Sequence, residues 1–160
     1  MPLYSVYFSL GSNMGDREGN LREAVRRMDE AFGTKASCLS SLIETEPVGF
    51  CGEKFLNAAV MYRLSIPGSS AQEAALSVLD RTEAIERSMG RTAKGETDAF
   101  GRRIYHSRTI DIDILFFGKE TIDCPRLTIP HKNIADRPFV MEPLRMVAKP
   151  SLRKAFPEYF

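Results

Sequence analysis

Residues 109–117 read Thr-Ile-Asp-Ile-Asp-Ile-Leu-Phe-Phe and are followed by Gly118. Their β-branched and aromatic content and their alternation predict a strand that the glycine ends. Because successive side chains of a strand point to opposite faces, Asp111 and Asp113 share one face, and the isoleucines that alternate with them lie on the other. The stretch therefore predicts a sheet with one apolar face and, on the opposite face, a pair of carboxylates.

The first half of the chain predicts a strand, a helix and two more strands. Residues 4–10 form an aromatic and β-branched run that ends in the turn Gly11-Ser12-Asn13, and Asp16 can cap a helix after it. The apolar positions of that helix recur at three- and four-residue steps, at Leu21, Ala24, Val25, Met28 and Phe32. Residues 36–45 and 55–65 then predict two strands, separated by a turn-rich segment.

A second helix precedes the Asp-bearing strand. Ser70 and Glu73 have the spacing of a capping box, and apolar positions continue until Gly90. After Gly118 the prolines at 125, 130, 138, 143, 150 and 157 permit only short helices. The order β-α-β-β-α-β predicts a single α+β domain over residues 1–160, a ferredoxin-like sandwich. Its antiparallel sheet carries two helices on one face and leaves the other face free for a site or further elements.

Composition restricts the classes of function. The 160 residues are 43% hydrophobic and 27% charged, and the net charge of +1 argues against whole-surface attraction to nucleic acid or anionic membrane. The sequence shows neither a signal-type N-terminus nor an apolar run long enough to span a bilayer, so we expect a cytoplasmic protein. Three widely spaced cysteines argue against a disulfide framework or a thiolate zinc site.

The carboxylate pair indicates a metal site. Asp111 and Asp113 would repel each other without a cation, whereas a hard dication such as phosphate-bound magnesium relieves that repulsion. The alternative is a strand at the sheet edge that exposes its polar face to water.

Basic residues cluster just before the pair, at Arg87, Arg91, Lys94, Arg102, Arg103 and Arg108. Guanidinium groups hold phosphate oxygens in bidentate fashion, so the cluster suits a polyphosphate ligand, although interspersed acids also fit a solvated mixed-charge surface. His131, which follows a β-branched run and Pro130, can donate to a phosphate or accept a proton, or can be an ordinary histidine. The chain has none of the common glycine-rich phosphate loops or protein-kinase motifs.

Six fragments follow one another along the chain: Gly11-Ser12-Asn13, residues 44–49 (ETEPVG), residues 55–60 (FLNAAV), Ile85-Glu86 with Gly90-Arg91, residues 108–114 (RTIDIDI), and residues 127–131 (LTIPH) with Arg137 and Phe139. Together they resemble the 6-hydroxymethyl-7,8-dihydropterin pyrophosphokinase family. This resemblance covers the chain to about residue 144, and it is what suggests the substrates.

The resemblance implies diphosphate transfer from ATP to the hydroxymethyl group of the pterin, with release of AMP, in folate biosynthesis. Asp111 and Asp113 would hold two Mg²⁺ ions, and Arg91 and Arg108 would stabilise the phosphate charge as catalytic groups. The nucleotide site would comprise Glu86, Arg91, Arg108, Ile114, Arg126, Thr128, His131 and Arg137. The pterin pocket would comprise Gly11, Thr45, Pro47, Val48, Phe55, Asn57 and Phe139, because a flat fused ring suits an aromatic sandwich and an amide partner.

The loop between Arg91 and Arg108 departs from the compact members of the family. Its Lys94, Arg102, Arg103 and Tyr105 do not align with the family's mobile loop, and we expect the loop to act as a lid over ATP because it is polar and aperiodic.

Two other classes fit parts of the pattern. Paired aspartates on a ferredoxin-like sheet also suit a two-metal nucleotidyltransferase or phosphodiesterase. An RNA-binding sheet is the other alternative, although the strands lack an aromatic platform. We expect small-molecule partners only, with no nucleic acid and no membrane, and a monomer.

Overall fold

The structure is a computed structural model that describes residues 3–45, 54–67, 70–90, 109–132, 134 and 137–160. Its strands are β1 (Leu3–Ser12), β2 (Cys38–Leu39), β3 (Ile43–Thr45), β4 (Phe55–Ser65), β5 (Asp111–Phe117), β6 (Ile122–Cys124) and β7 (Leu127–Ile129). Its helices are α1 (Arg17–Phe32), α2 (Ala71–Ser88), α3 (Pro138–Val147) and α4 (Pro150–Ala155), followed by a 3₁₀ turn at Pro157–Tyr159.

The described strands form an antiparallel sheet in the order β2-β4-β1-β5, with β3 paired to β4 beside β2. If β2 and β3 are taken as one interrupted strand, the element order is β-α-β-β-α-β, and α1 and α2 cover one face. This confirms the predicted α+β ferredoxin-like fold. A small hairpin, β6–β7, follows β5.

Both predicted helix starts have the expected caps. The Asp16 carboxylate accepts a hydrogen bond from the Gly19 N–H at 3.0 Å, and the Ser70 hydroxyl accepts one from the Glu73 N–H at 3.1 Å. These side chains satisfy main-chain donors that a helix leaves unpaired in its first turn. Gly90 follows the end of α2 and has a φ of 94°. A backbone with positive φ favours glycine, which explains this residue at the end of the helix.

The sheet separates two apolar cores. The first lies under α1 and α2 and takes alternate residues of β1 and β5, among them Val6, Phe8, Leu10, Ile112 and Ile114. The second lies on the opposite face, where α3, α4 and the C-terminal residues pack on Tyr7, Ala59, Met61, Leu115 and Phe116. The face that the sequence left free therefore carries helices, and only short ones, as the prolines predict.

Two further features of the described residues bear on the sequence predictions. Cys38 and Cys124 are free thiols, whereas Cys51 lies outside the described residues. No helix in the described part of the chain combines the length and the apolar character needed to cross a bilayer.

Candidate active site

The carboxylate pair lies on the face of the sheet that also carries α3. Asp111 and Asp113 are partly buried, whereas Ile112 between them is buried in the first core. In register, Asp111 stands opposite Gly11 and Asp113 opposite Ser9 of β1. Residues two apart on a strand are separated by about 6.6 Å. The pair lies at the start of β5, ahead of Leu115, the first residue of that strand that belongs to the second core.

This pair fits magnesium held together with a nucleotide. Within the described part of the chain, no group of three or more His, Cys, Asp or Glu side chains is arranged to hold a metal ion. Mg²⁺ is commonly bound by one or two carboxylates and completed by substrate phosphates and water. Two partly buried carboxylates on one face match that donor set, and an all-protein cage would need more ligands than the described residues bring together.

A slot without a side chain lies beside the pair. Gly11 on β1 stands between Asp111 on β5 and Asn57 on β4, which are therefore about 10 Å apart, at two interstrand spacings. A Cβ placed on Gly11 would lie 3.1 Å from Asn57 Oδ1 and 3.5 Å from Phe55 Cδ1. The glycine thus leaves the space between the amide and the carboxylates open.

The amide of Asn57 is fixed from the other side. Asn57 is 5% exposed, and its Nδ2 donates to Thr45 Oγ1 at 2.6 Å. Thr45 in turn stands opposite Phe55 in the β3–β4 pair. Strand pairing therefore brings together four of the residues predicted to line the pterin pocket, Gly11, Thr45, Phe55 and Asn57.

Two further predicted residues lie at the start of α3, where Arg137 is the N-cap and Phe139 is the second residue of the helix. Phe139 is partly buried against the second core, and the guanidinium carbon of Arg137 lies 5.8 Å from the centroid of its ring. A cation at that distance from an aromatic face is attracted by the ring quadrupole. Because α3 packs on the face that carries the Asp pair, both residues belong to that side of the sheet.

The remaining predicted nucleotide residues are more dispersed. The main-chain N–H of His131 donates to the carbonyl of Leu115 at 3.0 Å, which ties this segment to β5. Thr128 lies on β7, opposite Asp123. The side chain of Ile114 is buried in the first core, so a contact with a nucleotide would have to come from its main chain.

Arg126 is exposed and pairs with two acids of α2. Its Nη2 lies 2.7 Å from Asp80 Oδ1 and 2.8 Å from Glu83 Oε1, and these hydrogen bonds raise the pKa of the guanidinium. A phosphate at Arg126 would compete with these carboxylates.

Glu86 has a role that the sequence did not reveal. It is 2% exposed, and its Oε2 accepts a hydrogen bond from the main-chain N–H of Ile112 at 2.9 Å. This contact anchors β5 to α2 at the residue between the two aspartates. No local pattern indicates this contact, because it spans 26 residues and joins a side chain to a main-chain group.

Arg17 is a second residue that the sequence predictions missed. Its guanidinium donates to Glu44 Oε2 and to the carbonyl of Lys54, each at 2.7 Å. The sequence does place a positive charge, Arg17, next to the helix cap Asp16 and a negative charge, Glu44, next to Thr45. The pairing of these two charges depends on the sheet register, which the sequence does not show.

Several predicted site residues lie outside the described residues. They are Pro47, Val48, Arg91 and Arg108, together with Lys94, Arg102, Arg103 and Tyr105 of the expected lid.

Comparison with known proteins identifies a family and several relatives. Residues 7–149 match the family model of 7,8-dihydro-6-hydroxymethylpterin-pyrophosphokinase. The 2-amino-4-hydroxy-6-hydroxymethyldihydropteridine pyrophosphokinase of Bacillus subtilis (strain 168) is 34% identical over 145 residues, covering 90% of this chain and 78% of that protein. The protein of the same name from Porphyromonas gingivalis (strain ATCC 33277) is 39% identical, with coverages of 89% and 90%. A folate synthesis bifunctional protein of Arabidopsis thaliana is 39% identical over 87% of this chain and 26% of its own length.

Proposed function

The chain belongs to the 7,8-dihydro-6-hydroxymethylpterin-pyrophosphokinase family, and we propose that it transfers the β,γ-diphosphate of ATP to the hydroxymethyl group of 6-hydroxymethyl-7,8-dihydropterin. The substrate hydroxyl oxygen bonds to the β-phosphorus and releases its proton to solvent, the bond from that phosphorus to the oxygen of the α-phosphate breaks, and AMP leaves. The chain is thus an ATP-dependent diphosphotransferase of folate biosynthesis.

One observation carries this proposal. The register of β4, β1 and β5 sets Asn57, Gly11 and Asp111 in one row across the sheet, so an amide, an empty slot and a carboxylate succeed one another over about 10 Å. A flat heterocycle held at the amide would direct its hydroxymethyl group toward the carboxylates. The distance suits two substrates that meet end to end.

The predicted site residues would have different roles according to their positions. Asp111 and Asp113 would hold two Mg²⁺ ions, which supply charge neutralisation and orientation of the phosphates when bound. Asn57, fixed by Thr45, would read the polar edge of the pterin, while Phe55 and Phe139 would cover its faces. His131 and Arg137 would contact the nucleotide from the side of β5 and α3. Arg91 and Arg108 would add positive charge at the transferred phosphates.

The proposal also covers the cellular location, the oligomeric state and the partners of the protein. We expect the protein to act in the cytoplasm as a monomer on small-molecule substrates, without nucleic acid.

Product analysis tests the function directly. The protein, ATP, magnesium and 6-hydroxymethyl-7,8-dihydropterin should yield AMP and the pterin diphosphate in equal amounts. Inorganic pyrophosphate with a nucleotidylated product would indicate a nucleotidyltransferase instead, and the absence of pterin-dependent AMP would refute the proposal.

The role of the carboxylates is tested by Asp111→Ala and Asp113→Ala. We expect turnover to fall at least about 100-fold, because metal binding contributes several kcal/mol of charge stabilisation. The melting temperature should change little, since each variant removes one of two like charges. Glu120→Ala removes an exposed carboxylate from the turn at the other end of β5 and should leave turnover unchanged. Turnover of either aspartate variant within tenfold of the parent would contradict the metal role.

A further inference from the structure

Arg17 joins three elements on the face of the sheet that carries α1, opposite the face of the proposed pterin pocket. It is the first residue of α1, and its Nη1 donates to the carbonyl of Lys54, the residue before β4, at 2.7 Å. Its Nη2 donates at 2.7 Å to Glu44 Oε2 on β3. One guanidinium therefore fixes the start of a helix to two neighbouring strands.

These strands carry the pocket. Glu44 precedes Thr45, and Lys54 precedes Phe55, so both of the groups that Arg17 binds are adjacent in sequence to a pocket residue. Thr45 and Phe55 face each other in register, and Thr45 accepts the hydrogen bond that orients the Asn57 amide. A change in the separation of the two strands at this point would move all three side chains.

The contact differs from the other ion pairs of α1. Arg22 and Glu18 pair within the helix and have side chains that are 73% and 57% exposed, so their pairing orders nothing beyond the helix. Arg17 is 29% exposed and reaches residues 27 and 37 positions away. Its two hydrogen bonds leave from different nitrogens of a rigid, planar group, which fixes direction as well as distance.

Glu44 is held as a carboxylate. The hydrogen bond from Arg17 lowers its pKa, and Lys54 Nζ, 3.8 Å from Glu44 Oε1, lowers it further. The charge that Arg17 binds is therefore present throughout the neutral range.

We propose that Arg17 is a positioning residue for the pterin pocket: it touches neither substrate and acts by holding β3 and β4 at the separation that Thr45, Phe55 and Asn57 require. This inference rests on the proposed function. It assigns Arg17 to pterin binding and not to ATP or metal binding, because its contacts lie on the side of Asn57 away from Asp111.

Direct binding measurements on Arg17→Ala and Arg22→Ala separate this role from a general one. The dissociation constant for 6-hydroxymethyl-7,8-dihydropterin is measured by calorimetry with saturating magnesium and a nonhydrolysable ATP analogue, and that for the analogue is measured separately. We expect Arg17→Ala to weaken pterin binding at least tenfold and nucleotide binding less than twofold. Arg22→Ala, the matched control on the same helix, should change neither.

Two milder variants keep the test decisive if Arg17→Ala unfolds. Arg17→Lys retains a charged donor but not the fork and should weaken pterin binding at least threefold. Glu44→Gln retains an acceptor oxygen and should weaken it less than Arg17→Ala does.

Three outcomes would overturn the inference. The first is a pterin dissociation constant of Arg17→Ala within twofold of the parent, or of Arg17→Lys where the alanine variant is unfolded. The others are an equal loss of affinity for pterin and nucleotide, and an equal loss of pterin affinity in Arg22→Ala. A parent protein that forms no AMP refutes the proposed function. A parent that forms AMP while Arg17→Ala binds pterin normally refutes the positioning role alone.

Discussion

Replacing Gly11 by alanine adds one methyl group to the proposed pterin pocket and so tests whether the space there is needed for pterin binding. An alanine Cβ would lie 3.1 Å from Asn57 Oδ1, which is closer than ordinary van der Waals contact. Since the Asn57 amide is held by Thr45, it must shift or lose that 2.6 Å hydrogen bond. We expect Gly11→Ala to raise the KM for the pterin at least about tenfold, which corresponds to about 1.4 kcal/mol, with the KM for ATP little changed.

A double-mutant cycle checks that this effect passes through Asn57. The KM effects of Gly11→Ala and Asn57→Ala should be strongly non-additive, because both variants disturb the same amide. Additive effects, or an equal rise in the KM for ATP, would show that the methyl group acts elsewhere.

At this scale the sequence predicted the face on which a side chain lies, but not its contacts with distant parts of the chain. Alternation alone placed Asp111 and Asp113 on one face, since the strand period is local. The gap at Gly11 depends on its register with Asn57, 46 positions later in the chain, and no local pattern carries that information. The Glu86 anchor was missed for the same reason.

The element that matters most is β5, which lies at one edge of the described sheet. An edge strand presents main-chain groups without a strand partner, and proteins commonly cover them. Here the Glu86 carboxylate accepts from the Ile112 N–H, and the His131 N–H donates to the Leu115 carbonyl. The outer side of the strand is therefore fixed at two points, one of them between the aspartates.

Variants at Glu86 test whether this anchor holds the carboxylate pair in place. Glu86→Gln keeps an acceptor oxygen and should retain most of the stability, whereas Glu86→Ala leaves the Ile112 N–H without this partner. Removing one partner of a buried donor costs about 1–3 kcal/mol, and we expect a loss of that size in urea unfolding.

Metal binding provides the second readout for this anchor. Binding of magnesium with the nucleotide analogue should weaken in Glu86→Ala and recover largely in Glu86→Gln. Equal stability and equal binding in both variants would show that β5 does not need the carboxylate.

The prediction of strands from the sequence was wrong where a side chain takes the place of a main-chain group in a hydrogen bond between strands. Residues 36–45 read as one strand, yet the structure divides them into β2 and β3. Ser40 makes the break, because its hydroxyl accepts from the Ala59 N–H at 2.8 Å, a donor that strand pairing would otherwise use. The β6–β7 hairpin also escaped prediction, since its strands have three residues each and lie among prolines.

At the scale of the molecule, the sheet is covered on both faces, and the proposed site lies on the face that also carries α3. The sequence predicted α1 and α2 on one side and allowed further elements on the other. It did not predict that α3 and the C-terminal residues would form a second core, because that packing is set by tertiary contacts and not by a local period.

The C-terminal residues pack on β5 and should contribute to the stability of the fold, although they follow the family match, which ends at residue 149. Phe156, which is 7% exposed, packs its ring against Phe116 of β5 with centroids 5.1 Å apart, and Tyr159 meets the same ring at 5.6 Å. Truncating a buried phenylalanine costs about 3–5 kcal/mol, so Phe156→Ala should lower the melting temperature by roughly 6–20 °C.

Lys154→Ala, an exposed change on α4, serves as the control and should leave the melting temperature unchanged. Activity of Phe156→Ala measured well below its melting temperature should match the parent, because Phe116 lies three positions beyond Asp113 and packs away from the slot at Gly11. An unchanged melting temperature would contradict the packing of this segment. A loss of turnover at full stability would instead mean that the aromatic cluster acts on the carboxylate pair through β5.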